Sequence, residues 1–338
     1  MKILVGISGG VDSAFCANRL LLEGHEVEGA VLLMHEHTEI ASAKAAAHDI
    51  GIKLHVVDVR EEFEKVVKEN FISEYLSGRT PNPCIICNEK VKFARLYSYA
   101  MENGFDAIAT GHYAKIVKLG ERYAVARSAD EKKDQSYMLY RLPQNILSAL
   151  ILPLSDIPKA DVRRESAEQG ISAADRKDSQ EICFLPDGKY AEFIEQKRGI
   201  SPPGNFVDEE GNTLGRHNGI IRYTVGQRKG LGISLGERMF VSRIDPVSND
   251  IVLSKSSSGK NVIELRDLAY SSMAPVSEPC VVSLMAKLRY TAPLVEATAE
   301  LRPDGTATLR LSAPHKAAPG QSAVLYIDGV VALGGIIC

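Results

Sequence analysis

The stretch 2-KILVGISGGVDSA-14 decides the fold. Its first half, "KILVGI", is a continuous apolar run of the kind a strand carries when both faces are covered. Its second half breaks the run with Gly9 and Gly10 and then supplies Asp12 and Ser13, residue types that suit a helix start. Strand, glycine turn and helix together open a βα unit. Backbone N–H groups freed by the two glycines can form an anion-binding concavity at the helix N-terminus, and Ser8 and Ser13 add hydroxyls. No Gly-Lys-Ser/Thr closes the loop, and the third glycine of the dinucleotide fingerprint is missing. Asp12 is unexpected in a phosphate cradle. A carboxylate repels phosphate unless a cation stands between them, and Mg²⁺ would serve. The plainer reading is an ordinary βα turn with Asp12 and Ser13 capping the helix.

Outward from this stretch the pattern repeats. Residues 13–23 read as a helix, "EVEGAVLLMH" as a strand, 39–50 as a helix, "KLHVVDV" as a strand and 60–77 as a helix. A cysteine-bearing loop, a helix over about 88–103 and the strand "DAIAT" follow. The alternation predicts an α/β fold with a doubly wound parallel sheet, its ligands off the carboxyl ends of the strands. Residues 113–128 read as a hairpin and 136–200 as mostly helical, broken at Pro143, Pro153 and Pro158. Beyond "ISPPGNF" short β-rich runs alternate with turn residues, as in small antiparallel barrels. The expected units are 1–203, 204–270 and 271–338.

Composition narrows the class. The 338 residues are 45% hydrophobic and 25% charged, with 40 Lys+Arg against 43 Asp+Glu. That is ordinary for a soluble globular chain, so any nucleic-acid contact must come from local basic clusters. No run reaches the ~18 apolar residues of a membrane span, and no signal peptide is read. Six cysteines are too few for a disulfide scaffold of this length. A cytoplasmic, reduced protein is expected, with cysteines available for chemistry or metal.

The cysteines concentrate the question. "TPNPCIICNEKVKF" (80–93) sets Cys84 and Cys87 three apart behind Pro81-Asn82-Pro83. Alone, the pair suits half a zinc site, a redox pair, cluster ligands or sulfur chemistry. With this stretch and the glycine loop, "ATGHYA" (109–114), "KKDQSYML" (132–139), "KDSQEICF" (177–184), "YTVGQRKGLGI" (223–233), "LRY" (288–290) and "PGQSAVLY" (319–326) occur in order. The loop resembles the PP-loop of the ATP pyrophosphatase superfamily. The ordered set resembles the tRNA-specific 2-thiouridylase family, over nearly the whole chain.

The resemblance implies a PP-loop domain, a small central domain and a C-terminal antiparallel β-barrel. It implies ATP-dependent replacement of O2 by sulfur in the wobble uridine, position 34 of tRNA. ATP would lie on Gly6, Ile7, Ser8, Gly9, Gly10, Val11, Asp12 and Ser13, with Met34 against adenine and Gly111 beside it. Cys183 would carry a persulfide and Cys87 would act as second thiol, the two closing a transient disulfide. Asn82, Pro83 and Cys84 would border the target base, while Lys133, Asp134, Gln135, Arg289 and Tyr290 would contact tRNA. Arg228 and Lys229 are further phosphate candidates. A sulfur-donor protein, a cysteine desulfurase or a relay carrier, is the implied partner.

Cys84 departs from relatives that carry Asp there. With Cys87 and Cys183 it makes three candidate ligands for a [4Fe–4S] cluster, with zinc less suited for lack of a fourth ligand. His112 reads as a structural histidine or a general base, Cys16 as core, and Cys280 and Cys338 have no motif. Two other functions stay open on the residues alone. A small-molecule adenylating ligase, argininosuccinate- or NAD-synthetase-like, would share the loop but not need the thiols. A metal-stapled RNA-binding module would not need the loop.

Overall fold

The computed structural model describes residues 1–172, 182–185, 187–233, 236–256 and 259–338. Strand β1 (Lys2–Gly6) is central, with Ile3, Leu4 and Val5 fully buried. Side chains of a strand alternate between faces. Ile3 and Val5 join a cluster with Val11 and Phe15 of α1 (Val11–Leu22) and Ala43 of α2 (Ile40–Ile50). Leu4 joins the opposite cluster, with Phe93, Leu96 and Ala100. Both faces of the sheet are therefore covered, as the unbroken apolar run requires.

Strands β2 (Glu26–Leu33), β3 (Leu54–Asp58) and β4 (Ala107–Ala109) run parallel with β1. Strands β5 (Lys115–Leu119) and β6 (Arg122–Ala126) form the expected hairpin. The short β7 (Leu150–Ile151) completes a parallel sheet of order β3-β2-β1-β4-β7. Strand order reverses at β1, and in such sheets ligands bind off the carboxyl ends of the strands at the reversal.

Two expectations change in detail. The cysteine loop is helical: α3 (Pro83–Cys87) begins at Pro83, with Asn82 at its N-cap. Proline suits the first helical position, where its missing N–H costs nothing. A π-turn, Asn88–Lys92, follows before α4 (Phe93–Glu102). The stretch 136–200 is less helical than its pattern, because Leu150-Ile151 adds the strand β7 to the sheet edge. Helices α5 (Lys159–Glu168) and α6 (Tyr190–Arg198) lie further on, α5 starting just after Pro158.

The central unit holds β8 (Gly204–Val207), β9 (Thr213–His217), β10 (Phe240–Asp245) and β11 (Asp250–Ser254), ordered β10-β11-β8-β9. Six strands then close a barrel: β12 (Lys260–Tyr270), β13 (Cys280–Lys287), β14 (Val295–Leu301), β15 (Ala307–His315), β16 (Ser322–Ile327) and β17 (Val330–Ile337). Antiparallel pairing of β12 with β17 makes the closure. Inward alternate residues such as Ile263, Leu284, Leu309 and Leu333 fill it. Strand β12 ends where the 270/271 boundary was expected, and it hydrogen-bonds within the barrel. The β5–β6 hairpin extends the barrel sheet through Ala126 and Val330. No described helix is long and apolar enough to cross a membrane.

Candidate active site

The glycine loop leaves β1 and enters α1 with no side chain capping the helix, so its first N–H groups point at whatever binds off the end of β1. Internal bonds fix the loop: Ser8 N–H donates to Ser13 Oγ (3.1 Å), and Ser13 Oγ donates to Gly10 O (3.0 Å). Gly9 has φ +82°, and a Cβ there would sit 2.6 Å from Ser42 Cβ at the start of α2. Gly111 is required for another reason. A Cβ on it would lie 2.6 Å from the backbone carbon of Asp12. Its missing side chain lets β4's end press on the first turn of α1. Gly111→Ala is expected to push the loop aside and weaken nucleotide binding by about tenfold or more, as main-chain overlap cannot relax like a side chain. Calorimetric titration with ATP checks this.

Asp12 lies between protein partners. Lys159 Nζ is 2.6 Å from each carboxylate oxygen, and Tyr113 Oη donates to Oδ1 at 2.7 Å. Among the described residues no three His, Cys, Asp or Glu side chains are gathered to hold a metal ion.

Three of the cysteines lie within electrostatic reach of one another. Met34 follows β2, and Cys87 Sγ–H points to Met34 Sδ at 3.9 Å. Phe184, next to Cys183, shares a hydrophobic cluster with Cys87. Charge on Cys183 or Cys84 would be felt at Cys87. Cys87 is buried, whereas Cys84 and Cys183 keep exposed surface. Burial pushes the Cys87 thiol up to about 12, against the opposing pull of Lys92. Burial also raises Cys84 and Cys183. Raised in this way, all three rest as thiols at neutral pH. Cys16 is fully buried in the core.

His112 follows β4, with its Nδ1 2.8 Å from Thr110 Oγ1. Burial, and then the charge of Lys92, lowers its pKa to about 3. It is a neutral ring with little basicity. Because the folded pKa is depressed, the unfolded chain takes up the proton first as pH falls. The stability His112 confers is present above about 6.5 and is lost on acidification toward 3. The residue as a whole is half-buried, so we expect at most about 1 kcal/mol lost per pH unit. His112→Gln should flatten the wild-type decline between pH 6.5 and 4.5 in urea unfolding; parallel curves would refute it.

The segments with expected tRNA roles meet each other. Asp134 is buried and accepts from Ser128 N–H, Ser136 N–H and Ser136 Oγ, which makes it a fold-holding residue. Gln135 grips Tyr113 twice, by Oε1 to its N–H (2.9 Å) and by N–H to its carbonyl (2.7 Å). Lys133 is half-buried. The Tyr290 ring lies 6.1 Å from that of Tyr137, and Lys287 Nζ stands 5.6 Å over it. Arg289 is exposed beside it. Asn82 reaches Met138 Sδ at 3.7 Å, and Asn88 donates to Met138 O at 3.0 Å. Pro83 is buried. Arg228 and Arg238 line an open cleft of about 410 Å³ in the central unit.

Sequence reasoning missed three contributors. Lys159 and Tyr113 act on Asp12, and of these two only Tyr113 stands inside a quoted motif. Gln321 sits in "PGQSAVLY": its Nε2 donates to Thr80 O (2.8 Å) and Pro81 O (3.3 Å), while Thr80 N–H donates to Pro319 O (2.8 Å). The barrel thereby holds the turn that leads into α3.

Comparison with known proteins gives three consecutive family matches. They are a tRNA methyl transferase HUP domain over residues 1–187, a tRNA methyl transferase PRC-barrel domain over 191–255 and an aminomethyltransferase beta-barrel domain over 263–337. The tRNA-specific 2-thiouridylase MnmA of Acetivibrio thermocellus is 41% identical, covering 99% of both chains. That of Clostridioides difficile is 39% identical over 99% of this chain and 98% of its own. A solved 4-thiouridine synthetase–RNA complex with bound ATP overlaps 58% of this chain and 50% of its own at 17% identity. Its TM-score of 0.37 is too low to bear on function. Identity near 40% over 99% of the chain means that the chain belongs to the tRNA-specific 2-thiouridylase family.

Proposed function

We propose that the protein uses ATP to replace O2 of the wobble uridine of tRNA with sulfur. The observation that supports this reading is Cys87 against Met34 just past β2, within electrostatic reach of Cys183, on the strand next to the β1 that leads into the uncapped glycine loop. Uracil O2 is a poor leaving group. In the first step it attacks the α-phosphorus of ATP, the α–β P–O bond breaks, and pyrophosphate leaves with the electron pair while the N3 proton is lost. The target base must leave its stack to reach this site. Asn82 and Pro83 at the start of α3 would border it.

In the second step the terminal sulfur of a Cys183 persulfide attacks C2, and AMP leaves with the C2–O electrons. Cys87 then attacks Cys183 Sγ. The persulfide S–S bond breaks, its outer sulfur stays on the base, and a Cys87–Cys183 disulfide forms. A dithiol reductant must reopen it before the next turnover. The outer sulfur comes from a donor protein, a cysteine desulfurase or a relay carrier. The resting thiols are protonated, so activation needs the filled site, where the charge of Lys92 acts on all three.

Lys133, Arg289 and Tyr290 offer phosphate and stacking contacts, with Asp134 and Gln135 shaping their platform. Among the described residues no three His, Cys, Asp or Glu side chains are gathered as ligands for a [4Fe–4S] cluster on Cys84, Cys87 and Cys183, and no step is routed through one. A methyl transfer, which the matched domain descriptions name, would leave the glycine loop and both thiols without a task. So would a small-molecule ligase leave the thiols. The test is to incubate the protein with ATP, tRNA and a persulfide donor, then identify nucleosides by mass spectrometry. Absence of 2-thiouridine, or its formation without ATP, would end the reading.

A further inference from the structure

We propose that Phe184 is a positioning residue for the sulfur hand-off: its ring, seated among other aromatic rings, sets where the neighbouring Cys183 stands relative to Cys87. The inference deepens the thiol chemistry above and rests on it.

Cys183 and Phe184 are the two central residues of a tight turn, closed by Leu185 N–H donating to Ile182 O at 2.8 Å. Their side chains go opposite ways. Cys183 keeps exposed surface, whereas Phe184 is 5% exposed. The centre of the Phe184 ring lies 5.6 Å from that of Phe63, 5.5 Å from that of Phe71 and 5.6 Å from that of Phe193. The first two meet it edge to face, at 77° and 87°, the arrangement that ring quadrupoles favour. Lys68 Nζ stands 6.0 Å from the centre of the Phe184 ring and 5.9 Å from that of Phe193. The socket is built from three stretches: the π-turn Phe63–Lys68, the helix Glu69–Leu76 that continues from it, and α6.

Cys87 is placed by other means. It ends α3, buried, with its Sγ 3.9 Å from Met34 Sδ. One sulfur therefore belongs to a helix and the other to the tip of a turn. Attack of one sulfur on the other demands a narrow geometry, and a tip free to swing would rarely meet it. Leu185, 7% exposed, holds the base of the turn. The Phe184 ring holds its tip, one residue from the sulfur. Phe184 and Cys87 belong to one apolar cluster, so packed side chains, not open solvent, relate the two sulfur carriers.

A ring that merely fills the core would use the same contacts, so the test reads thiol pairing and adenylation separately. Full-length wild type, Phe184→Ala, Phe184→Met and Ile251→Ala are equilibrated with reduced and oxidised glutathione, and the Cys87–Cys183 disulfide is quantified by peptide mass spectrometry. Two protein thiols become one disulfide, while glutathione disulfide accepts the two electrons and becomes two thiols. The same proteins are scored for single-turnover pyrophosphate release with ATP and tRNA. Ile251 is fully buried in the same cluster but lies on β11 of the central unit, so its truncation is the packing control. Phe184→Ala should lower the effective concentration of the thiol pair by about tenfold or more and leave pyrophosphate release within about threefold. Phe184→Met refills the volume and should restore pairing to within about threefold. Ile251→Ala should pair like wild type. If Phe184→Ala does not fold, Phe193→Ala opens another wall of the socket and carries the same comparison. Wild-type pairing in the socket variant overturns the proposal. So does a parallel loss of pairing and pyrophosphate release, or an equal loss of pairing in Ile251→Ala, each the mark of general loosening. A wild type that thiolates tRNA but never forms the disulfide overturns it too, since there is then no pair to position. If wild type makes no 2-thiouridine, the sulfur-transfer reading fails and takes this inference with it.

Discussion

Replacing Cys183 by serine is expected to abolish 2-thiouridine, by roughly 10³-fold or more, while tRNA-dependent adenylation survives. Serine is nearly isosteric and forms no persulfide. The glycine loop does not depend on the thiol, so one burst of pyrophosphate per enzyme should still appear and then stop, since no sulfur arrives to displace AMP. Replacing Cys87 should give the complementary failure. Cys87 is buried against Met34, and Cys183 keeps its own surface, so Cys183 can still be loaded. The outer sulfur is then attached to the base but not released from the protein, and a covalent protein–tRNA species should accumulate. Gel analysis before and after reduction distinguishes the two variants. Wild-type thiolation in both would refute the assigned roles.

Asp12→Ala is expected to stop the reaction one step earlier, with no pyrophosphate burst and a loss of about 10²-fold or more. Two causes act together. The substitution removes the group that aims Lys159 and Tyr113 Oη, and it leaves the ammonium without that counter-charge. Breaking a buried ion pair from one side costs about 3–5 kcal/mol; Asp12 is partly exposed, so roughly 2 kcal/mol is the better expectation here. Asp12→Asn keeps an acceptor for Tyr113 and should fall between. Pyrophosphate release in a single turnover with tRNA is the measurement, and near-normal release from Asp12→Ala would remove Asp12 from the chemistry.

The sheet was legible because "KILVGI" and "DAIAT" are short apolar runs with glycine turns and amphipathic segments between them, local patterns that carry their own period. The cysteine helix was not legible as a helix: Pro81-Asn82-Pro83 signals a turn, and nothing local says that the second proline is a helix start rather than a stop. The pairing of Cys87 with Cys183 came from resemblance, since no spacing rule joins residues so far apart. Asp134 and Gln135 show the opposite difficulty. A polar string before an aromatic reads as a contact surface, yet the carboxylate is buried on backbone donors. Lys159 carried no local signal; its place depends on where α5 lands against α1. Residues 177–181 of "KDSQEICF" lie outside the described residues.

The Gln321 and Pro319 contacts with Thr80 and Pro81, and the Ala126–Val330 join, have a practical outcome. A shortened protein ending near residue 200 would keep every glycine of the cradle and all three sulfurs. It would nonetheless lose the grip that orients α3 and bare one flank of a hairpin. Such a fragment should be sticky and inert, because distant chain segments jointly tension the workbench on which the sulfurs are mounted.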